Sequence, residues 1–448
     1  MIEKFHSLRE KYPTFTFEGF SYSKLDTELV IKFSFTQSDD IKFSPEIIVP
    51  LNNDTDPGML EVIIFNIGMM ELISYYKACC SPTIVIKAGY LNEKQLKFWK
   101  NIYFNGLGEF LYTNQIETTP DELFSFVVDS EIKYEQLKSN LSDGCIIPVG
   151  GGKDSVVTLE LLKNENNNLP FILNPRDASI DSVRSAGYGN YISFLRKLDP
   201  KLLELNKKGY LNGHTPFSAL LAFVTTLASV IHKKKNIVLS NENSASEGNV
   251  HFSGIEVNHQ YSKSFEAEKA LHDYIVEFIH PELNYFSFLR PVYELKIAEL
   301  FSRFEAHYYS FRSCNVGSKT NEWCRNCSKC LFTFIILSPF ISAAKMRKIF
   351  GEDLFENRKL EPELIKLIGD TDIKPFECVG THREIKAALA YTVQNYTENK
   401  LPHLLELFKE KYSSEFKNML KDFDILLQFY SRENLLNEGF NNLLYEKM

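Results

Sequence analysis

The sequence lacks a secretory signal and lacks an apolar run suited to crossing a membrane. The N-terminus, MIEKFHSLREKYPTF, is charged and has no apolar centre. The two longest apolar stretches, MLEVIIFNIGMMELISYY and CLFTFIILSPFISAA, are interrupted by acidic residues or are too short for a comfortable span. Both stretches therefore predict buried helices. We expect a cytoplasmic protein that has no membrane partner.

The sequence also lacks an excess of positive charge. Lysine and arginine number 50 against 58 aspartate and glutamate residues, so the formal net charge is -8. This balance argues against nucleic acid as a partner, because a broad nucleic-acid surface needs clustered lysine and arginine. A small basic pocket for an anionic substrate remains compatible with it. Internal repeats and low-complexity tracts are absent as well, which argues against a repeat architecture.

The 448 residues suffice for two or three domains, and the pattern along the chain predicts an α/β protein with three parts. Residues 1–138 begin with the alternating stretches FTFEGFSYS and ELVIKFSFT, continue with helical patterns, and predict an α+β domain. Residues 139–345 alternate short buried strands with helices, which predicts a parallel sheet core with helices on both faces. Residues 346–448 predict a helical C-terminal region.

A glycine-rich loop, PVGGGKDSVVTLELLK, joins a predicted strand to a predicted helix. Glycines let backbone amides approach an anion closely, and the helix N-terminus adds free N–H groups. The Walker pattern requires serine or threonine directly after lysine, so Asp154 excludes it. The order Gly-Gly-Lys-Asp-Ser instead resembles the loop of the PP-loop ATPases (consensus Ser-Gly-Gly-x-Asp-Ser), which cleave ATP between the α and β phosphates. The alternative is an ordinary glycine-rich turn.

The PP-loop resemblance implies an adenine-nucleotide α-hydrolase-like core that binds ATP and Mg²⁺. Its loop would hold the pyrophosphate with amides and a serine hydroxyl, and its aspartate would share the magnesium ion or cap the helix. One departure is that Gly150 stands where the consensus has serine. The residues predicted to bind ATP are Gly150, Gly151, Gly152, Lys153, Asp154 and Ser155.

Polar loops follow the later predicted strands. Ligands of open parallel sheets bind at the carboxyl ends of the strands, where NPRDAS (174–179), NGHTP (212–216) and SNENSASEGN (240–249) are expected to lie. The run EVNHQYSKSFEAE comes next, and a solvated loop is the alternative for each stretch. The residues predicted to contact the nucleotide, magnesium or substrate are Arg176, His214, Asn241 and Glu242, and those predicted to contribute to catalysis are His259, Tyr261 and Lys263.

The eight cysteines of a reduced chain suggest metal binding or catalysis rather than disulfides. The segment SCNVGSKTNEWCRNCSKC spaces four of them as C-x9-C-x2-C-x2-C, which fits a closed, structural zinc site. An iron–sulfur cluster and four reduced thiols are the alternatives. The predicted metal ligands are Cys314, Cys324, Cys327 and Cys330. Cys378, in KPFECVGTHRE, lies near a histidine and a helix start, so it is a candidate general base.

These stretches occur in an order that resembles the MurL family of ATP-dependent UDP-N-acetylmuramoyl-L-alanyl-L-glutamate epimerases. The resemblance covers most of the chain and implies a nucleotide-linked muramoyl dipeptide as the substrate. It implies transfer of AMP to the carboxylate of the terminal L-glutamate, removal of the α-proton and its return on the other face. AMP and pyrophosphate would be released, in the synthesis of peptidoglycan precursors.

Epimerisation needs a proton donor and a proton acceptor on opposite faces of the carbon, and Cys378, His259 and Tyr261 are the candidates. The runner-up is a 7-cyano-7-deazaguanine synthase, which resembles this chain in its loop and its four-cysteine zinc site but is usually much shorter. A catalytically inactive nucleotide sensor is a third reading. The sequence leaves the two proton-transfer groups and the oligomeric state open.

Overall fold

The computed structural model describes residues 2–51, 55–165, 167–371 and 373–448. Its strands are β1 (Thr14–Leu25), β2 (Glu28–Gln37), β3 (Ile41–Phe43), β4 (Glu46–Pro50), β5 (Thr83–Ile86), β6 (Ser125–Val128), β7 (Ser142–Pro148), β8 (Leu169–Leu173), β9 (Ile192–Lys197), β10 (Lys234–Leu239), β11 (Val250–Phe252), β12 (Ile255–Val257) and β13 (Asn284–Ser287).

The helices of the first half are α1 (Ile2–Lys11), α2 (Glu61–Tyr76), α3 (Glu93–Gly106), α4 (Gly108–Thr113), α5 (Pro120–Leu123), α6 (Lys153–Leu162), α7 (Asp177–Ser185), α8 (Pro200–Lys207) and α9 (Phe217–Ile231). Those of the second half are α10 (Phe265–Phe278), α11 (Glu294–Ser302), α12 (Ser328–Leu337), α13 (Ala343–Phe350), α14 (Glu361–Leu367), α15 (His382–Gln394), α16 (His403–Lys411), α17 (Phe416–Gln428) and α18 (Glu438–Tyr445). The predicted helical C-terminal region is confirmed.

The central sheet has eleven strands in the order β13-β10-β7-β8-β9-β4-β2-β1-β5-β6, with β3 beside β2. Every pairing from β13 to β9 is parallel, which confirms the predicted parallel core. β1 and β2, which contain the alternating stretches FTFEGFSYS and ELVIKFSFT, pair antiparallel. The α/β class is therefore confirmed, while the assignment to the PP-loop superfamily stays a prediction.

The core of the sheet is covered by helices on both faces. Successive side chains of a strand point to opposite faces, and neighbouring strand residues here join different hydrophobic cores. Ile146 and Ile237 pack in one core with α2, α9 and α10, whereas Ile147 and Val238 pack in the other with α6, α11 and α12. The glycine-rich loop after β7 therefore lies at the edge of a three-layer core.

The sheet runs without a break from the N-terminal strands into the parallel core. β4 and β9 pair antiparallel, with Glu46 opposite Lys197 and Ile48 opposite Leu195. The pairing of β1 with β5 and of β5 with β6 is parallel, so the N-terminal part of the sheet is mixed. The division at residues 138 and 345 stays a prediction about independent units, since one sheet crosses the first boundary.

Contrary to the expectation from its acidic residues, one segment of the described chain is long and apolar enough to cross a membrane. It covers Pro57–Tyr76, and 83% of its most apolar window is buried inside the protein. The apolar stretch CLFTFIILSPFISAA supplies most of α12, which is buried along its whole length, and ends in the first turn of α13. Both stretches are core helices, as predicted.

A buried ion pair fixes α2 to the junction strand β9. Arg196 donates its Nε and Nη2 to the two carboxylate oxygens of Glu71, the second at 2.8 Å, and Glu71 is fully buried. Arg196 also donates to the Ser74 hydroxyl at 3.1 Å. The pair therefore joins an N-terminal helix to the strand at which the two parts of the sheet meet.

Removing one partner of this pair is expected to destabilise the fold. Glu71→Ala leaves the Arg196 guanidinium buried without its acceptor, which costs about 3 kcal/mol in the free energy of unfolding. Denaturant titration measures this loss. Lys208→Ala, which removes an exposed pair with Glu204, serves as the control and is expected to leave the midpoint unchanged. Equal midpoints for the wild type and Glu71→Ala would contradict the assigned role.

Candidate active site

A cavity of about 280 Å³ lies at the carboxyl ends of the parallel strands. It opens between the loop after β7, the loop after β10 and the start of α9. The predicted site residues that line it are Gly150, Gly152, Asp154, Ser155, Asn241, Glu242 and Lys263. The structure thus brings three predicted sequence stretches to one place.

The glycine-rich loop is shaped for close backbone approach. Gly151 has φ +87°, and a Cβ there would lie 2.7 Å from the backbone carbon of Ala178, so this position requires glycine. The amide of Arg312 donates to the Gly151 carbonyl at 2.8 Å and fixes the loop from outside. The first backbone bond of α6 runs from Val156 to Gly152, which leaves the preceding amides of its first turn free for an anion.

Three carboxylates meet at the start of α6. Oxygens of Asp154, Glu242 and Glu294 lie within 4.8 Å of one another. The buried ammonium of Lys153 forms ion pairs with both Asp154 and Glu294. Sequence reasoning missed Glu294, which opens α11 in a segment that also carries Lys296 and Glu299. No local pattern separated Glu294 from these charged neighbours.

The charges of this cluster perturb one another. Burial raises the pKa of Asp154, but Lys153 and Lys329 lower it by more, so the net pKa is below its usual value. Burial and the neighbouring Asp154 raise the pKa of Glu294 well above its usual range. Burial lowers the pKa of Lys153, and the two carboxylates raise it by more. Lys153 therefore stays charged.

The carboxylate cluster fits a magnesium ion. Mg²⁺ prefers oxygen ligands and uses one or two carboxylates together with phosphate oxygens. Asp154 and Glu242 line the cavity, whereas Glu294 is 1% exposed and is held by Lys153. The first two carboxylates are the ones able to share an ion with a bound triphosphate.

A buried network positions the loop residues of the cavity. Arg290 is 1% exposed, pairs with Glu268 at 2.7 Å, and donates to the backbone carbonyls of Glu242 and Lys263. Glu268 also accepts from the Ser287 hydroxyl. Ser287 in turn accepts from the Asn241 amide at 3.0 Å. The Glu268–Arg290 salt bridge thus fixes Asn241, Glu242 and Lys263. No sequence motif predicted this salt bridge.

Cys378 lies beside the cavity, next to two lysines. Lys263 donates to its Sγ at 3.3 Å, and Lys329 donates to its backbone carbonyl. Burial lowers the pKa of Lys263, but Cys378 and Glu242 raise it by more, so this lysine stays charged. The Cys378 sulfur therefore lies within hydrogen-bond reach of a positive charge at the rim of the cavity.

His259 belongs to a second polar cluster, which an N-terminal helix completes. Its Nδ1 bonds to the carboxylate of Glu109 in α4, and His214 Nδ1 lies 3.6 Å from the same oxygen. Burial and His259 lower the pKa of His214 to about 4, against the opposing effect of Glu109. The three ligand atoms lie within 4.8 Å of one another. Lys77 and Lys263 also lower the pKa of His214, and these positive charges disfavour a cation here.

The other predicted site residues lie away from the cavity lining. Arg176 is exposed and caps α7 through its backbone amide, which donates to the Ser179 hydroxyl at 3.1 Å. Tyr261 is buried; its hydroxyl accepts from Asn101 at 2.8 Å and donates to Glu266 at 2.9 Å. Burial, followed by Glu266, raises the pKa of Tyr261 above its usual value, which keeps the phenol protonated at neutral pH.

The four predicted metal ligands converge. Their sulfur atoms lie within 4.8 Å of one another, and Cys324 and Cys330 are 3.7 Å apart. Tetrahedral zinc with Zn–S bonds of about 2.3 Å places sulfurs roughly 3.8 Å apart, so the spacing fits. Cys314 accepts bonds from the amides of Gly317 at 3.1 Å and Cys324 at 3.4 Å, which favours a thiolate. We propose that this cluster binds one zinc ion.

The fold and the site define a parallel α/β protein whose ligand cavity lies at the strand ends. Residues 6–288 match the model of the MurL N-terminal domain, and residues 310–421 match that of the MurL C-terminal domain. The chain belongs to the MurL family.

Curated relatives carry the name UDP-N-acetyl-alpha-D-muramoyl-L-alanyl-L-glutamate epimerase. The one from Micromonospora sp. is 33% identical over 390 residues, which cover 84% of this chain and 86% of the relative. That from Salinispora tropica is 33% identical over 391 residues and 84% of each chain. That from Xanthomonas oryzae pv. oryzae is 32% identical over 324 residues and 71% of each. No solved structure matches the chain.

Metal analysis tests the cysteine cluster. We expect one zinc per chain and no visible absorption band of the kind that an iron–sulfur cluster produces. Cys327→Ser is expected to lose the metal, because three thiolates close a tetrahedral site poorly. Cys145→Ala, at a buried cysteine outside the cluster, is the control and should keep it. Stoichiometric iron, or zinc retained by Cys327→Ser, would contradict the assignment.

Proposed function

We propose that this chain is an ATP-dependent epimerase that inverts the terminal L-glutamate of UDP-N-acetylmuramoyl-L-alanyl-L-glutamate. It would act in the synthesis of peptidoglycan precursors and release AMP and pyrophosphate. The observation that carries the proposal is the shared cavity, in which an amide-lined loop, a carboxylate cluster and Lys263 meet beside Cys378. Membership of the MurL family and the names of its relatives support it.

The chemistry explains why an epimerase would use ATP. The α-proton of a carboxylate is very weakly acidic, because the carbanion would lie beside a negative charge. A substrate carboxylate oxygen attacks the α-phosphorus of ATP, the bond to the bridging oxygen of the β-phosphate breaks, and pyrophosphate leaves. The acyl adenylate can then lose its α-proton to a base and form an enolate. Return of a proton on the opposite face inverts the carbon, and water finally releases AMP.

The chain supplies the parts that this reaction needs around the phosphates. The free amides in the first turn of α6 follow Gly151, which is in the left-handed conformation, and they would bind the pyrophosphate group. Asp154 and Glu242 would hold the magnesium ion, which neutralises phosphate charge when it is bound. Lys263 would face the carboxylate that is to be activated, because it lines the same cavity.

Two groups are suited to the proton transfers. Cys378 lies beside the Lys263 ammonium, and His259 is oriented by Glu109. The aromatic ring of Phe376 packs against His259 at 6.3 Å between ring centroids, so the segment that carries Cys378 also borders the histidine. Tyr261 is already bonded on both sides of its hydroxyl. We assign the two proton-transfer roles to Cys378 and His259.

Asp154→Asn tests the adenylylation step. We expect pyrophosphate release to fall at least about 100-fold, because the variant loses a carboxylate that serves the developing phosphate charge. The fold is expected to persist, since Lys153 keeps its buried partner Glu294. Asp177→Asn, at an exposed acid in the first turn of α7, is the matched control. Pyrophosphate release at the wild-type rate by Asp154→Asn would remove this loop from the mechanism.

Deuterium exchange tests the reaction as a whole. The wild type, with ATP, magnesium and the UDP-muramoyl dipeptide in deuterated water, is expected to incorporate deuterium at the glutamate α-carbon. AMP, pyrophosphate and the D-epimer should accumulate. Formation of an amide from a deazapurine acid without exchange would instead identify a synthase. Conversion of ATP to ADP would exclude both.

Cys378→Ala and His259→Asn are expected to separate the two proton transfers. Loss of the group that removes the proton should abolish exchange. Loss of the group that returns a proton on the opposite face should still allow deuterium to enter at the α-carbon, but the glutamate should keep its L configuration. Each variant should lower epimerisation by at least about 100-fold while adenylylation continues, because general acid–base catalysis contributes this much. Unchanged epimerisation by either variant would contradict its assignment.

A further inference from the structure

A second and larger cavity lies on the N-terminal side of the molecule. It is a groove of about 690 Å³ between α3 and α10, which lies within the size range of small-molecule sites. The cavity at the glycine-rich loop has no lining residue in common with it. Nothing in the reaction described so far uses this groove.

The floor of the groove is aromatic. Phe98 and Tyr274 stack with ring centroids 4.1 Å apart, and Phe104 and Phe278 also line the groove. Phe98 and Phe278 are only half-buried, so their rings remain available to a ligand. Aromatic faces bind planar bases by stacking. The floor therefore suits a nucleobase.

The rim of the groove is polar and carries three lysines. Lys94 pairs with Glu277, and Lys100 pairs with Asp121. Lys97 is exposed and has no ion pair within the part of the chain that the structure describes. An unpaired ammonium beside a stacking surface is complementary to a base that carries phosphates.

The groove borders the loop that carries His259 and Lys263. Asn101, which lines the groove, donates to the Tyr261 hydroxyl, two residues from His259 and from Lys263. Ser253 lines the groove in the turn between β11 and β12, just ahead of the same loop. A ligand in the groove can therefore reach the loop that carries the proposed catalytic groups.

Helix α10 sets the distance between the two sites. The helix is capped by Ser264, the residue after Lys263, and begins at Phe265. The groove is lined from this helix by Ala270, Tyr274 and Phe278. At 1.5 Å per residue these positions lie about 9–21 Å along the helix from its cap. A dipeptide spans at most about 7 Å, and a sugar and a pyrophosphate add further length. The spacing matches a long substrate that has a nucleotide at one end and a reacting glutamate at the other.

We infer that the groove between α3 and α10 binds the uridine diphosphate part of the nucleotide-linked substrate. The uracil would stack on the aromatic floor, and the diphosphate would contact Lys97. This inference rests on the proposed function for the identity of the nucleotide. It assigns recognition of the nucleotide end of the substrate to the junction between α3 and α10 and leaves ATP at the glycine-rich loop.

Direct binding of UDP tests the inference without any turnover. Calorimetry on the full chain, without ATP or dipeptide, is expected to give one UDP site. Lys97→Glu should weaken UDP binding by at least about tenfold, because it replaces a charge-assisted contact to phosphate by repulsion. Phe278→Leu should also weaken it, since it keeps an apolar side chain and removes the stacking face. Lys42→Ala, at an exposed lysine in β3, is the control and should bind UDP as the wild type does.

The outcomes distinguish this inference from the proposed function. UDP binding that both groove variants retain in full would overturn the inference, even if epimerisation is confirmed. The groove could instead bind a second copy of the chain. In that case Lys97→Glu would change the mass of the protein in solution and leave the UDP affinity unchanged, which would also overturn the inference. UDP binding lost in both variants would support it, even if the dipeptide is not epimerised. With an active enzyme, the KM for the UDP-linked dipeptide should rise in the variants and the KM for ATP should stay unchanged.

Discussion

The candidate active site depends on the ion pairs that the buried Lys153 ammonium forms with Asp154 and Glu294. Three carboxylates lie within 4.8 Å of one another at the start of α6. Like charges at this distance repel strongly in a poorly solvated site, and one of them would have to take up a proton or move away. Lys153 offsets part of the repulsion by pairing with two of the three, while burial and Asp154 still raise the pKa of Glu294 well above its usual range. The helix N-terminus adds a smaller favourable term for Asp154, which lies in its first turn.

The same ion pair also organises the surrounding fold. Lys153 belongs to the first turn of α6 and Glu294 to the first turn of α11, so the pair holds two helix starts together beneath the cavity. A second buried pair, Glu268 with Arg290, fixes the loops that carry Glu242 and Lys263. Removing one partner of such a pair leaves an uncompensated buried charge, which is costly. The cavity is therefore rigid on the side that would contact phosphates.

Features that are local in sequence could be predicted. The glycine-rich loop, the alternation of strands and helices, and the cysteine spacing each depend on residues close together in the chain. Short spacers bring Cys324, Cys327 and Cys330 together. Cys314 joins them through a turn in which its sulfur accepts from the amides of Gly317 and Cys324. Short continuous apolar runs likewise predicted the parallel core, because β7, β8 and β10 are buried on both faces.

Features that depend on distant contacts could not be predicted. Glu294 is 141 residues from Lys153, and Glu109 is 150 residues from His259, so neither belongs to a motif. The sheet junction of β4 with β9 is similar, since nothing in either strand specifies its neighbour. A single ionisable residue in an apolar segment, such as Arg290 in FSFLRPV, signals a buried partner. It does not identify that partner, which requires the tertiary structure.

The structure explains why glycine is tolerated at position 150, where the loop departs from the PP-loop consensus that it resembles. At Gly151 the left-handed conformation and the contact with Ala178 exclude any side chain. At Gly150, where the consensus has serine, an added Cβ would meet nothing within 4 Å and φ lies outside the left-handed region. A serine would therefore fit at Gly150 without strain, and its absence costs the loop only a hydroxyl donor. The conformation that exposes the amides depends on Gly151, which this chain retains, so the loss of that hydroxyl leaves the geometry of the proposed anion site intact.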